Sequence, residues 1–225
     1  DGVIRWCKRR GLALPRITGV ESDPQHLPVL RAKYERLPAV HIEHADFLED
    51  RRTTYNFIVG NPPYVAITAL SESEKARYRA RYATAHGRFD LYLLFFEQAL
   101  RSLAPDGRLV FITPEKYLYV ETAAPLRALL ARYDIEEICL VREDTFGELV
   151  TYPTITVLRN SPRGRTRVVR RDGTMLTVTL PPGQHSWLPF LEGAAPQQTA
   201  VTLGDLCSRI SCGVATGADS VFVRP

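Results

Sequence analysis

The chain of 225 residues carries 29 Lys and Arg against 25 Asp and Glu, a formal net charge of +4, with 45% hydrophobic and 24% charged residues. These are the proportions of a soluble globular protein of one or two domains with enough chain for a large core. No apolar run approaches the length of about 18 residues that a membrane helix needs, and no signal peptide is present, so the expectation is a cytoplasmic protein without a membrane partner.

The small positive charge permits a polyanion partner without requiring one. Of the four cysteines, Cys7 and Cys139 fall in apolar-patterned stretches, while Cys207 and Cys212 lack the companion pair of a zinc site. All four read as reduced thiols, with no metal site.

The chain opens on Asp1-Gly2 without a Met and is expected to be a fragment. Gly2-Val3-Ile4-Arg5-Trp6-Cys7 reads as the end of a glycine turn opening a helix that stops near Gly11. A doubly wound fold then needs a strand ahead of it. Arg16 to Glu21 forms a short strand ending in a carboxylate, and Asp23-Pro24 is expected to cap a helix to about Arg36, with Pro28 awkward in its first turns. A strand, an acidic end and a capped helix, about 19 residues after a glycine turn, is the arrangement that places a carboxylate on ribose hydroxyls in nucleoside-binding α/β folds. Glu21 is therefore a candidate ribose ligand, although an acidic strand end is otherwise only a solvated terminus.

Val40 to His44 alternates as a strand leading into Ala45-Asp46-Phe47. His41 and His44 fall on opposite faces of that strand, which argues against a metal pair. Asp46 can accept from an adenine amine, and Phe47 can cover the ring while its N–H meets a ring nitrogen.

The next strand, Phe57 to Gly60, runs into Asn61-Pro62-Pro63-Tyr64. Each Pro fixes its own φ and pushes its predecessor into an extended conformation, so Asn61 and Pro62 are held rigidly at a strand end. The Asn61 amide oxygen and the Pro62 carbonyl are then two fixed acceptors, suited to the two N–H groups of an exocyclic amine. An aromatic amine is a poor nucleophile because its lone pair is delocalised, and two converging acceptors favour the pyramidal, nucleophilic form. Tyr64 can stack on the ring. The plain alternative is a strand, a proline turn and a buried Tyr. Glu21, Asp46 and Asn61 thus end three successive strands, which in an open parallel sheet line one crevice.

Ser71 to Arg88 interleaves Lys75, Arg77, Arg79, Arg81 and Arg88 with Tyr78 and Tyr82. It reads either as a solvated helix with tyrosines packed inward or as a segment that closes over cofactor or meets phosphates. Asp90 is a reasonable N-cap for an apolar helix from Leu91 to Leu103. Pro105-Asp106-Gly107 marks a turn, and Arg108 to Ile112 a buried strand. An amphipathic helix follows from Thr122 to Tyr133, then strands at Ile135–Val141 and Thr154–Arg159, joined by a loop holding Phe146, Tyr152 and Pro153. The tally is an α/β fold with a doubly wound, mostly parallel sheet whose first strand is missing.

Beyond Asn160, the segments Thr166–Arg171 and Thr174–Leu180 flank Asp172-Gly173, a hairpin signal with Arg163, Arg165, Arg167, Arg170 and Arg171 in or just before it. Those arginines suit phosphates or a solvated face about equally. Pro181 to Ala200 reads as a linker. The expected organisation is 1–160 as catalytic domain, 161–200 as basic hairpin and linker, and 201–225 as the start of a further domain.

In that order, Gly19-Val20-Glu21-Ser22-Asp23-Pro24, Ala45-Asp46-Phe47-Leu48, Gly60-Asn61-Pro62-Pro63-Tyr64, Gly87-Arg88-Phe89-Asp90-Leu91-Tyr92 and Gly107 to Pro114 resemble the successive motifs of the N6-adenine DNA methyltransferases of restriction-modification systems. The likeness is in particular to the TaqI- and Eco57I-like group, which implies a class I methyltransferase fold. The tail from Ile210 to Asp219 resembles the opening of that group's target-recognition domain.

The resemblance implies S-adenosylmethionine as donor, with Gly2 ending its glycine motif, Glu21 on its ribose, Asp46 on its adenine amine and Phe47 against the ring. It implies double-stranded DNA as partner, and a restriction nuclease, fused or separate, as companion. A flipped adenine would meet Asn61, Pro62, Pro63 and Tyr64, with Phe146 as a second stacking aromatic. Two other readings stay open: a methyltransferase acting on a protein glutamine or on RNA, and a degenerate fold serving as a DNA-binding module.

Overall fold

The computed structural model describes residues 1–49, 54–142, 152–183 and 185–193, together with Leu206. The chain divides into a unit spanning Asp1–Gly193 and another spanning Ala194–Pro225. Phe146, Cys207, Cys212 and, apart from Leu206, the expected start of a further domain at 201–225 lie outside the described residues.

Helix α1 (Gly2–Arg10) ends at Gly11, whose φ of 63° gives it the left-handed cap that a Cβ would strain. Strand β1 (Ile17–Glu21) follows. The next helix starts later than the sequence suggests. The Asp23 carboxylate accepts the N–H of Gln25 at 2.8 Å, making a turn in place of a cap. Helix α2 (Leu27–Tyr34) then begins with Pro28 in its first turn, where a missing N–H costs nothing.

Strands β2 (Val40–His44) and β3 (Tyr55–Gly60) precede helix α3 (Glu72–Arg81). Helix α3 opens on a full capping box: the Glu74 N–H donates to the Ser71 side chain, and the Ser71 N–H donates to the Glu74 carboxylate. Helix α4 (Leu91–Arg101) and strand β4 (Leu103–Pro114) follow. Within β4 Asp106 has φ 59°, so Pro105-Asp106-Gly107 keeps its turn character inside a strand.

Helix α5 (Ala124–Leu130), strands β5 (Asp134–Leu140), β6 (Pro153–Arg159), β7 (Thr166–Val169) and β8 (Met175–Val178), and helix α6 (Leu188–Leu191) complete the described chain. They form two sheets: β1 pairs with β2 in parallel, and a second sheet has the order β3-β4-β6-β5-β7-β8. β3 runs parallel to β4, β6 is antiparallel to both β4 and β5, and β7 adds in parallel to β5. Parallel pairing thus governs the strands that carry the site, and mixed pairing closes the far edge.

The core lies between α4, α5 and one face of the larger sheet. Helix α4 is buried nearly all round, and Phe96 packs edge-on to Phe111 of β4 at 5.1 Å. Its buried Glu97 is satisfied by the Thr84 N–H at 2.9 Å and the Thr84 hydroxyl at 2.8 Å, with an ion pair to Arg101 at 2.5 Å.

One segment differs from expectation. The part of the expected linker from Pro181 to Gly193 packs on the body of the fold, with Trp187 and Leu191 fully buried. It is pinned by buried Arg127, which donates to the carbonyls of Gly183 and His185. A Pro- and Gly-rich composition marks irregular backbone, and buried carbonyls here find their partner in a guanidinium.

The basic hairpin extends the sheet through β7, and four of its arginines are engaged within the protein. Arg165 donates to Thr177 O, Arg167 pairs with Glu137, Arg170 donates to Leu191 O and Arg171 pairs with Glu115.

Candidate active site

Three carboxylate or amide groups end the parallel strands. Glu21 closes β1, and its Oε1 accepts the N–H of Asp23 at 2.8 Å. Asp46 follows β2, and its Oδ1 accepts the N–H of Leu48 at 2.9 Å. In both, a local turn holds one oxygen and fixes the direction of the other. Asn61 follows β3 and is exposed, whereas Pro62 beside it is buried.

A cleft of about 400 Å³ separates the two sheets. It is bordered by Thr18–Val20 of β1, by β3 with Asn61 and Pro62, and by the rings of Phe47, Phe95 and Phe111. Among the described residues β1 is paired with β2 alone and β3 with β4 alone, so both strands turn an open edge to this cleft. That is why Phe57 and Val59, two large apolar residues of β3, are 69% and 67% exposed.

Phe47 and Phe95 stack with centroids 5.5 Å apart and planes 24° from parallel. Phe95 is a cleft-lining residue that the sequence conceals, because in an all-apolar helix it looks like any core position. Phe47, Asn61 and Pro62 of the expected residues line the cleft; Glu21 and Asp46 end the neighbouring strands without lining it. Gly2 is the first residue of α1 and stands apart from the lining.

Tyr64 faces elsewhere. Its hydroxyl donates to the carbonyl of Ile112 at 3.2 Å, and its ring meets Tyr92 edge-on at 6.3 Å. Partial burial raises its phenol pKa. With Ala66, Asp90, Tyr92, Pro114, Glu115, Lys116, Tyr119 and Tyr152 it lines a second cavity of about 290 Å³. The chain after Tyr64 is tied to the start of α4, since Leu91 N–H donates to Val65 O and Ile67 N–H donates to Phe89 O.

Asp90 occupies the N-cap position without making the capping hydrogen bond. Its carboxyl lines the second cavity, where burial raises its pKa against the opposing pull of Lys116. Asn61-Pro62 therefore borders one cavity and Tyr64 the other, and a rigid Pro-Pro joins them.

The Ser71–Arg88 segment takes the inward-packed form. Tyr78 and Tyr82 are buried, and Arg77 and Arg81 pair with Glu49, just beyond the Asp46 loop.

Residues 27–146 match the Eco57I restriction-modification methylase family. The chain belongs to that family. Among its curated relatives, the type II methyltransferase M.XhoI of Xanthomonas vasicola is 31% identical over 91% of this chain and 44% of its own length. M.PaeR7I of Pseudomonas aeruginosa is 30% identical over 75% of this chain and 35% of its own. The chain thus spans less than half the length of these relatives.

The fold of this Eco57I-family chain is that of the class I S-adenosylmethionine-dependent methyltransferases. A protein of Listeria monocytogenes described by that class superposes with a TM-score of 0.61 at 18% identity, over 75% of this chain and 53% of that one. The type IIG restriction endonuclease BpuSI superposes with a TM-score of 0.56 at 19% identity, over 82% of this chain and 23% of that one. S-adenosylmethionine is the methyl donor of the family. The stacked Phe47 and Phe95 fit an aromatic base, and the Glu21 and Asp46 carboxylates fit its hydroxyl and amine donors. Among the described residues, no helix is long and apolar enough to cross a membrane.

Proposed function

We propose that this chain is the catalytic core of a restriction-modification DNA methyltransferase that transfers a methyl group to N6 of an adenine flipped out of double-stranded DNA. The observation that carries this reading is the position of Asn61-Pro62-Pro63-Tyr64, with its acceptor pair beside one cavity and its aromatic ring in another.

S-adenosylmethionine supplies an electrophilic methyl group on a sulfonium centre. The stacked Phe47–Phe95 pair would offer an aromatic face to its adenine, Asp46 would take the amine, and Glu21 would take the ribose. On the acceptor side the Asn61 amide oxygen and the Pro62 carbonyl each accept one N–H of the target amine. That polarises the nitrogen toward its nucleophilic form, so that its bond to the methyl carbon would form as the carbon–sulfur bond breaks, and its surplus proton would pass to solvent. Pro63 keeps the backbone of the pair rigid, and Tyr64 stacks on the base. A nuclease, fused or separate, is the expected companion, because the family is one of restriction-modification enzymes.

The test is the full-length protein expressed in cells whose DNA is then sequenced for modified adenines. Wild type marks a defined sequence, and Asn61→Ala leaves the DNA unmodified while the protein stays folded. Near-normal marking by the variant removes Asn61 from the chemistry. A wild type that methylates protein glutamine or RNA and no DNA adenine replaces the reading.

A further inference from the structure

We propose that Arg88 and Lys116, set beside the cavity that holds Tyr64, grip the phosphodiester of the extruded nucleotide and so position its base. The inference rests on the proposed DNA acceptor. At about 290 Å³ the cavity falls at the small end of ligand clefts, so a base enters it while the sugar-phosphate stays at the mouth. Asn61 and Pro62 serve the amine and Tyr64 the ring, and none of the three offers a charge to that phosphate. Phosphate contacts fix the register of a nucleic acid, and lysine and arginine supply much of that grip.

Most arginines of the surrounding elements are committed within the protein. Arg77 and Arg81 pair with Glu49, and Arg101 pairs with Glu97. Arg171 meets Glu115, which cancels that carboxylate on the cavity wall. Arg88 and Lys116 differ: both are exposed, and neither makes an ion pair among the described residues. Lys116 is also the one cation in the cavity lining among those residues. Neither charge has a partner in the fold at ion-pair distance, and a phosphate supplies one to both.

Both side chains start from fixed backbone. Lys116 lies in the short turn Glu115–Leu118 that follows β4, and its carbonyl accepts the N–H groups of Tyr119 at 3.1 Å and Val120 at 2.9 Å. Arg88 stands between Gly87, with φ 58°, and Phe89, which is fully buried. The Phe89 carbonyl accepts the Ile67 N–H at 3.1 Å, and Asp90 bridges Ala66, so this turn is tied to the chain just after Tyr64. A Cβ on Gly87 would stand 3.5 Å from the Thr122 methyl, which sets the turn beside the segment that follows Lys116. The anchors are thus neighbours, and the long stems carry their charges out to solvent. Asp90 on the same wall is the competing explanation for Lys116, since its carboxyl feels that ammonium.

The experiment uses the full-length protein and two duplexes of equal length, one with its mapped site and one without. Affinity is read by fluorescence anisotropy over a series of salt concentrations. Lys116→Gln and Arg88→Gln are each expected to weaken binding to both duplexes several-fold and by the same factor. Each should also reduce the slope of log K against log salt by about one. S-adenosylmethionine affinity and melting temperature stay at wild-type values, and Lys116→Arg restores the slope. A site duplex with neutral methylphosphonates on either side of the target adenine locates the contact: it weakens wild type and weakens the double variant no further. Unchanged salt slopes in an active enzyme overturn the assignment, leave Lys116 to balance Asp90, and leave the proposed function standing. Variants as sensitive as wild type to the methylphosphonates also overturn it, because the contact then lies elsewhere on the duplex. A wild type that methylates no DNA adenine overturns both.

Discussion

The phenol oxygen of Tyr82 lies 2.5 Å from the carbonyl oxygen of Leu48, which joins the end of α3 to the loop that carries Asp46 and Phe47. The same hydroxyl is 2.9 Å from the Gln98 side chain of α4, and burial pushes its pKa up to about 12. The phenol therefore stays protonated and donates at any physiological pH. Two helices clamp the Asp46–Phe47 loop through one buried group.

Tyr82→Phe removes that donor while keeping the ring. It leaves the Leu48 carbonyl without its partner at a cost of about 1–3 kcal/mol. The expected outcome is a lower melting temperature and a several-fold weaker affinity for S-adenosylmethionine, read by calorimetry on the full-length protein. An unchanged affinity at reduced stability would confine Tyr82 to the scaffold.

Phe95→Leu tests the other wall of the proposed cofactor slot. Leucine keeps most of the volume, so the stability cost should stay below about 1.5 kcal/mol. The stack with Phe47 disappears, and S-adenosylmethionine should bind about tenfold more weakly, with DNA affinity unaffected. Equal weakening of both ligands would point to a distorted α4.

The strand ends were legible because each combines a local apolar run with one polar terminus. Glu21, Asp46 and Asn61 occupy the ends foreseen for them. Tyr64 and Phe95 were harder for opposite reasons. Tyr64 is adjacent in sequence to Asn61 but turns into a different cavity, because its hydroxyl reaches Ile112, 48 positions along the chain. Phe95 shares its pattern with core residues, and only the tertiary meeting with Phe47 gives it a role. Segment 181–193 escaped for a third reason: one buried Arg127, unremarkable in an amphipathic helix, holds down a backbone whose composition signals a linker.

Arg127 is 1% exposed and meets no carboxylate among the described residues. Its guanidinium donates to the carbonyls of Tyr117, Val120, Gly183 and His185, and burial lowers its pKa. Arg127→Met keeps the apolar stem and takes the guanidinium from all four carbonyls, of which Val120 still accepts the Ala123 N–H. The expected loss is about 2–4 kcal/mol by urea denaturation, with early proteolysis between Pro181 and Gly193. Arg127→Lys should recover only part, because an ammonium cannot span all four carbonyls.

Asp90 gives a stability prediction with a definite sign. Burial raises its pKa above the ordinary value of 3.8. A carboxyl with a raised folded pKa contributes stability that is complete below its unfolded pKa and is lost as pH rises through the folded one. Neutral pH thus leaves a partly desolvated charge on the wall of the proposed acceptor cavity, where it serves no cap. Asp90→Asn should melt higher than wild type near about pH 7.5, and the gap should close on acidification toward about pH 4. If the carboxylate contacts the acceptor, the same variant should lose about tenfold or more in kcat/KM for DNA at neutral pH. A variant that is more stable and equally active would make the charge a tolerated defect. One that is more stable and less active would show a site holding a costly group for its chemistry.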